Sequence, residues 1–282
     1  MPIGDKPIGE ILYGGRAEIP EIFEIKGNFF FGYNTILTPS MLTVSSEDAN
    51  YPKANMLDLG HLRRHYRSTV ITEVTIVIDF STAKAIKLVF LNDVNFTNVY
   101  IQGNTTNTWT SPPFSQQFTI SKDARTNRYK LCAILMDFNY QYMRIRIMGQ
   151  TPTDGLSVFR IGTLFATEAI LELSRNPSHP YEYQAPKAKP QIIQFLSGTV
   201  EKVGRGDIKI WEGSFGFNLY ERSKEDEIWT LDAIDEDDYL VFYENLGDTS
   251  KGYLCQRDGS VRISWNRPNN MNIATLIFRE AV

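Results

Sequence analysis

The chain is poor in the residues that most often do chemistry, with two cysteines and three histidines among 282 residues. Cys132 and Cys255 lie far apart, so neither a disulfide framework nor a closely spaced thiolate metal site is indicated. Both read as buried or half-buried thiols. Only His61, His65 and His179 could serve as the imidazole base of a nucleophilic triad, too few for that reading to start from. His61 and His65 have the i, i+4 spacing that would place two metal ligands on one helix face. No glutamate lies between them and His179 falls in a proline-rich stretch, so they read as loop or strand-edge histidines. Charge of one sign is also lacking: 29 basic against 33 acidic residues give a net charge of −4, and without a basic surface to displace counterions a nucleic acid is not the expected partner. No run approaches the roughly 20 apolar residues that span a bilayer. The opening MPIGDKPIGEILYGG has neither a basic n-region nor a continuous apolar h-region, so a standard secretion signal is not supported.

What is plentiful is strand-forming material. Aromatic residues make up 12% of the chain, with 17 Phe and 14 Tyr, and β-branched residues crowd the same segments. Thr75, Val77 and Asp79 alternate with Ile76, Ile78 and Phe80 at period two. Strands are expected at Val74 to Phe80, Ala85 to Leu91, Asn98 to Gln102, Ser115 to Ile120, Lys130 to Asp137, Tyr142 to Met148 and Arg160 to Leu173. Polar turn-rich stretches such as Gln102 to Thr108 and Gly149 to Gly155 separate them. Helical periodicity is scarce, with one short turn expected between Pro39 and Met56, started by a Ser45 or Ser46 cap. Ser174 to Pro190 holds four prolines and few aliphatic residues, and reads as a semi-rigid linker or an arm across a neighbour. Strand signals resume at Gln191 to Val203, Ile208 to Tyr220, Tyr239 to Tyr243, Tyr253 to Gln256, Ser260 to Trp265 and Asn272 to Glu280. The expected class is all-β: a leader over residues 1–30, a β-sandwich over 31–173, the linker over 174–190, and a smaller β-domain over 191–282. No fixed-period repeat is visible, which disfavours a solenoid or propeller.

Three clusters invite a chemical reading. Asp232, Asp235, Glu236, Asp237 and Asp238 offer oxygen ligands but lack the spacing and glycine of an EF-hand loop, so a solvated turn is expected. Asp137, Glu168 and Glu172 are available as paired carboxylates, yet each is explained as the polar face of a strand. Arg205, Gly206 and Asp207 match an adhesion triplet in letters, but TVEKV before and IKIWEG after make them a tight hairpin.

One block carries a family signal. From Tyr51 to Asp79, YPKANMLDLGHLRRHYRST leads into VTIVIDF, and this order of small residue, Asn, Met/Leu, Leu and Asp, then an aromatic, Arg and Ser before a strand, resembles the opening of a discoidin-like (galactose-binding-like) jelly roll. Tyr66 stands where the family usually has a tryptophan or another aromatic. The opening IGDKPIGE…GG resembles leaders of tailed-bacteriophage structural proteins, and VFRIGTLFATEAILEL resembles the closing strand of discoidin-like modules in phage tail proteins. The resemblance implies a jelly-roll sandwich followed by a smaller β-domain, in a virion component of the tail tip, distal tail or baseplate that assembles in the host cytoplasm. It implies homo-oligomerisation, other tail proteins as partners, contact with host surface glycan, and no enzymatic activity. A stand-alone carbohydrate-binding module is the alternative.

Such jelly rolls present ligand loops at one end, which nominates the Asn55 to Arg67 loop and the loops around Trp109 and Tyr140. The glycan-contacting candidates are therefore Trp109, Tyr140, Arg63 and Arg64. The competing reading of Trp109 is a ring that covers the end of the core. Arg67 is expected to tie carbonyls to a carboxylate such as Asp58. No cofactor is expected; the structural Ca²⁺ that discoidin-like modules often carry has no assignable ligands here.

Overall fold

The computed structural model describes residues 29–61, 64–174, 176, 182–184, 191–194, 200–203, 212–244, 247–259, 261–267 and 270–280. In chain order its strands are β1 (Phe30–Tyr33), β2 (Leu42–Val44), β3 (Tyr66–Arg67), β4 (Glu73–Lys84), β5 (Leu88–Val94), β6 (Asn98–Asn104), β7 (Phe114–Thr119), β8 (Ser121–Lys122), β9 (Tyr129–Ile134), β10 (Tyr140–Met148), β11 (Arg160–Ile161), β12 (Thr163–Thr167) and β13 (Ala169–Glu172). There follow β14 (Glu182–Gln184), β15 (Gln191–Gln194), β16 (Val200–Val203), β17 (Glu212–Glu221), the helix α1 (Glu225–Asp232), β18 (Leu240–Tyr243), β19 (Gly252–Asp258), β20 (Ile263–Arg267) and β21 (Asn270–Glu280). The described residues are all-β apart from α1 and short 3-10 turns.

Alternation builds the first sheet. β2, β4, β10, β6 and β7 pair antiparallel in that order, and the inward residues Val74, Ile76 and Ile78 of β4 join Val99, Ile101, Met143, Ile145 and Ile147 in one core. A four-stranded sheet, β12-β5-β9-β8, closes over them with Val89, Leu91, Leu131, Ala133, Leu164 and Ala166. The chain passes repeatedly between these two sheets, which makes the jelly-roll sandwich. The Tyr66, Arg67, Ser68 phrase locks one end of it. The buried Tyr66 hydroxyl donates to the Ser46 carbonyl, and Ser68 Oγ accepts the Phe159 N–H at 2.8 Å while donating to the Val70 carbonyl at 2.6 Å.

The second sheet differs from the first in kind. Leu88-Val89-Phe90-Leu91, Leu131-Cys132-Ala133 and Leu164-Phe165-Ala166 are continuous buried apolar runs, as strands covered on both faces must be. The face turned away from the sandwich core, bearing Leu88, Phe90, Cys132 and Phe165, packs on Phe30, Val241, Tyr243 and Leu254. These belong to a third, eight-stranded sheet in the order β13-β1-β18-β19-β21-β17-β14, with β20 beside β21. That sheet draws strands from both sides of the expected 174–190 linker: Phe30–Tyr33 pairs with Ala169–Glu172 on one side and with Leu240–Tyr243 on the other. Within the linker, Glu182–Gln184 is itself a strand against Glu212–Ser214. The far face of the third sheet carries its own core, Phe31, Tyr220, Phe242, Tyr253, Met271 and Phe278 among others.

Helix α1 roofs that core with Ile228 and Leu231. Its first turn holds Glu225, Asp226 and Glu227, which suits the positive end of the helix dipole. The helix is a departure from the sequence expectation. The single helical turn expected to start at Ser45 or Ser46 is also corrected: two 3-10 turns form, Pro39–Met41 and Lys53–Leu57, without side-chain caps. The two serines instead accept strand and loop N–H groups, from Thr75 at 2.9 Å and Thr69 at 2.8 Å. Residues 1–28 of the expected 1–30 leader, His179 and the Arg205 to Asp207 triplet lie outside the described residues, while Phe30 already belongs to β1.

Across the junction between the second and third sheets runs a buried ion network. Lys130 Nζ lies 3.1 Å from Glu280 and 3.5 Å from Asp123, with all three side chains shielded from solvent, and 4.3 Å from the centre of the Tyr253 ring. Arg128 reaches Glu280 at 3.0 Å, Lys251 reaches Asp123 at 3.1 Å, and Arg125 reaches Glu244 at 2.6 Å. Burial pulls the Lys130 ammonium below its usual range, against the opposing pull of Glu280 and Asp123.

Candidate functional site on the outer sheet face

Of the four nominated glycan residues, the three described ones, Trp109, Tyr140 and Arg64, do not form one site. Their placement follows from the register of the first sheet. Met143 pairs with Gly103 and points inward; one residue on, Arg144 pairs with Gln102 and Val77 and points outward, because successive side chains of a strand face opposite ways.

Tyr140 belongs to the inward set. Its ring packs on Phe138 at 5.4 Å and Phe114 at 6.3 Å, and it lies so close over Gly103 that an added Cβ there would come within 2.5 Å of it. Tyr140 therefore closes the end of the core. Arg64 is elsewhere again: its guanidinium pairs with Asp58 at 2.8 Å, beside His61, which bonds the other Asp58 oxygen at 2.8 Å. Desolvation pushes the Asp58 carboxyl up, but His61 and Arg64 outweigh it and hold the group below its ordinary value. This loop leans toward the later strands, where a Cβ on Gly60 would meet the Tyr239 hydroxyl at 2.7 Å. Arg63 lies outside the described residues.

The expected partner of Asp58 was Arg67, and that is corrected. Arg67 instead sits 3.8 Å over the Tyr51 ring and donates to His65 Nε2 at 2.7 Å, while His65 stacks on Tyr51 at 4.9 Å. His61 and His65 thus turn to different partners. Among the described residues no group of three or more His, Cys, Asp or Glu side chains converges as a metal site. Asp235, Glu236, Asp237 and Asp238 form an exposed turn, whereas Asp232 bonds Arg257 at 3.4 Å. Glu168 pairs with Lys84 at 3.3 Å, Glu172 lies on β13 and Asp137 is exposed after β9.

Trp109 remains. Its loop, residues 105–113, leaves β6 and folds back over the outer face, where the half-buried indole lies 4.6 Å above the Arg144 guanidinium. Its Nε1 donates to Asn107 at 2.7 Å. Arg144 Nε donates to Gln102 at 2.7 Å, and the buried Gln102 is fixed in turn by Ser115 at 3.0 Å. Around this pair the outward positions of β6 and β10 supply Tyr100, Asn104, Tyr142 and Arg146, none of them buried. Tyr100 donates to Gln117 at 3.0 Å, and Arg146 holds Glu73 through two bonds of 3.0 and 2.8 Å. The result is a strip of half-exposed rings and fixed polar groups on a rigid sheet. Arg144, Gln102 and Tyr142 were not nominated from sequence. The alternation over Tyr142 to Met148 marks Tyr142 and Arg144 as outward, but nothing local brings a loop 35 residues earlier onto them.

No family model matches the chain, and no curated protein sequence matches it. Among solved structures it is similar to a fucose-binding module of Streptococcus pneumoniae, SpX-3, at 13% identity over 45% of this chain and 93% of that one, with a TM-score of 0.36. It is similar to CBM32-3 from a family 31 glycoside hydrolase of Clostridium perfringens at 17% identity over 46% and 93%, TM-score 0.36. Reduced XRCC1, bound in that structure to the catalytic domain of DNA pol beta, is matched at 12% identity over 45% and 93%, TM-score 0.35.

Proposed function

We propose that the chain is a binding protein rather than an enzyme, and that it takes a glycan on the outer face of the five-stranded sheet. One observation carries this reading: the Trp109 ring is held half-exposed, stacked on Arg144, beside outward Tyr142 and Tyr100. Saccharides bind where an aromatic face receives the C–H side of the sugar and a few fixed polar groups clamp its hydroxyls. A ring held by its own stacking partner is ready for that role without reordering. The test is a glycan array followed by titration of wild type and Trp109→Ala. Saccharide binding that falls at least tenfold in the variant, with an unchanged melting temperature, supports the site; binding unaffected by the substitution overturns it.

A second reading is favoured by the junction between the sheets. The sandwich does not hang from a tether; its second sheet shares an apolar core and an ion network with the third. Such rigidity suits a structural subunit, and the resemblance of the opening residues to leaders of tailed-phage structural proteins supports one proposal for it: a virion tail tip, distal tail or baseplate, built from copies of this chain and other tail proteins. The two readings combine if the virion displays the glycan face to its host. Light scattering and negative-stain imaging of the purified protein test the second: a ring or discrete multimer supports it. A strict monomer that also fails to join tail proteins in co-purification removes it.

A further inference from the structure

Most described arginines, Arg125, Arg128, Arg146 and Arg160 among them, hold a carboxylate. Arg144 holds none within ion-pair reach among the described residues. Its contacts are neutral: Gln102 Oε1 at 2.7 Å, the Trp109 carbonyl at 3.5 Å and the Trp109 ring at 4.6 Å. The nearby acids are engaged. Glu73 accepts from Nε and Nη2 of Arg146, and Asp79 accepts the Ser81 N–H at 2.7 Å and Gln141 Nε2 at 3.2 Å. Burial, and then repulsion from Arg146, outweigh the longer-range attraction of Glu73 and hold the Arg144 pKa below the usual guanidinium range. The cation is thus partly desolvated, pinned through Nε, and left with its Nη1 donors unpartnered among the described residues. A guanidinium in that state is matched best by a planar carboxylate, which accepts two parallel N–H bonds.

We propose that the ligand of this face is an acidic saccharide whose carboxylate pairs with Arg144 while its ring, or a neighbouring sugar, lies on Trp109 and Tyr142. This rests on the glycan reading above and narrows it to one class. The carboxylate belongs to a uronic acid or a sialic acid, and the two sources share the same recognition. Gln102 acts as a positioning residue: buried and held by Ser115, it fixes the direction of the fork.

The experiment titrates wild type with tetragalacturonate and with 3′-sialyllactose, each beside its carboxyl-reduced counterpart, and repeats the titrations on Arg144→Gln and Arg144→Lys. An acidic probe that binds at least tenfold tighter than its reduced form, with the gap closing to near one in Arg144→Gln and only partly restored in Arg144→Lys, supports the inference. Whichever probe shows the gap identifies the source. Equal binding of acidic and reduced forms, lost on Trp109→Ala, overturns the charge inference and leaves the glycan reading standing. A gap that survives in Arg144→Gln also overturns it. Absence of binding by all four probes overturns the charge inference, and absence of binding on a full array removes the glycan reading with it. Melting curves of both variants within a few degrees of wild type confirm that the fold is kept.

Discussion

The Lys130 ammonium and the Glu280 carboxylate meet at 3.1 Å with neither side chain open to solvent, one on β9 of the sandwich and the other on the last strand of the third sheet. An ion pair this deep costs much to desolvate and repays it only while both partners are present.

Removing one partner is therefore expected to be severe. Lys130→Met alone, or Glu280→Gln alone, should destabilise by up to about 3–5 kcal/mol, because the charge left behind stays buried with one partner fewer: Glu280 keeps Arg128 and Lys130 keeps Asp123. Lys130→Met with Glu280→Gln should cost less than the sum of the singles, since residues in one network couple. Urea unfolding of the three variants measures the coupling, and additive losses would mean that the pair is not a unit.

The same network sets an acid limit. Burial pushes the Asp123 carboxyl up, but Lys130, Thr126 and Lys251 together outweigh burial and bring it down to about 2 from 3.8. A folded value below the unfolded one stabilises fully above about pH 4, and the gain is lost as pH falls toward 2. It amounts to roughly 2 kcal/mol. In Asp123→Asn the stability curve between pH 4 and pH 2 should be flatter than in wild type. An unchanged slope would assign acid sensitivity to other carboxyls.

Gly252 lies where the second and third sheets approach closely. A Cβ there would come 2.6 Å from Cys132 Cβ and 3.0 Å from Phe90 Cε2. Neither strand has room to retreat, so Gly252→Ala should cost about 1–3 kcal/mol by overpacking. Cys132→Gly in the same chain should recover part of it. A melting temperature unchanged by Gly252→Ala would show the junction to be looser than its geometry.

Cys132 and Cys255 are free and buried, and burial pushes both thiols far above their ordinary range. Since the thiolate is the reactive form, the native protein should not react with a thiol reagent at neutral pH. In urea both should react, at the rate of unfolding. Fast labelling of either residue in the native state would contradict its burial.

The strands of the first sheet were legible because alternation is a local signal: Val74 to Phe80 announces its inward set within seven residues. The runs around Phe90, Cys132 and Phe165 were legible as strands but not as members of a sheet covered twice, since the covering residues Phe30, Val241 and Leu254 lie far off in sequence. The helix at Glu225–Asp232 was missed because eight residues give little periodicity, although Ile228 and Leu231 have helical spacing and the acids of its first turn suit an N-terminus. Of the candidate site, Trp109 was visible as a tryptophan in a polar loop. Arg144 was not, because its part in the site rests on having no carboxylate within ion-pair reach among the described residues, and this depends on Glu73 having been taken by Arg146. Arg64 was nominated because it lies in the Asn55 to Arg67 loop, yet a place in that loop says nothing of a face shared with Trp109.

The doubly covered sheet limits how this protein can be taken apart. Cutting out residues 31–173 as a free-standing fragment would strip Phe30, Val241, Tyr243 and Leu254 from Leu88, Phe90, Cys132 and Phe165, each wholly buried in the intact chain. The excised piece would expose a broad oily wall and cling to itself. Whatever the outer face grips, the pull on it passes straight into the rest of the molecule, with no hinge at that wall to absorb the load.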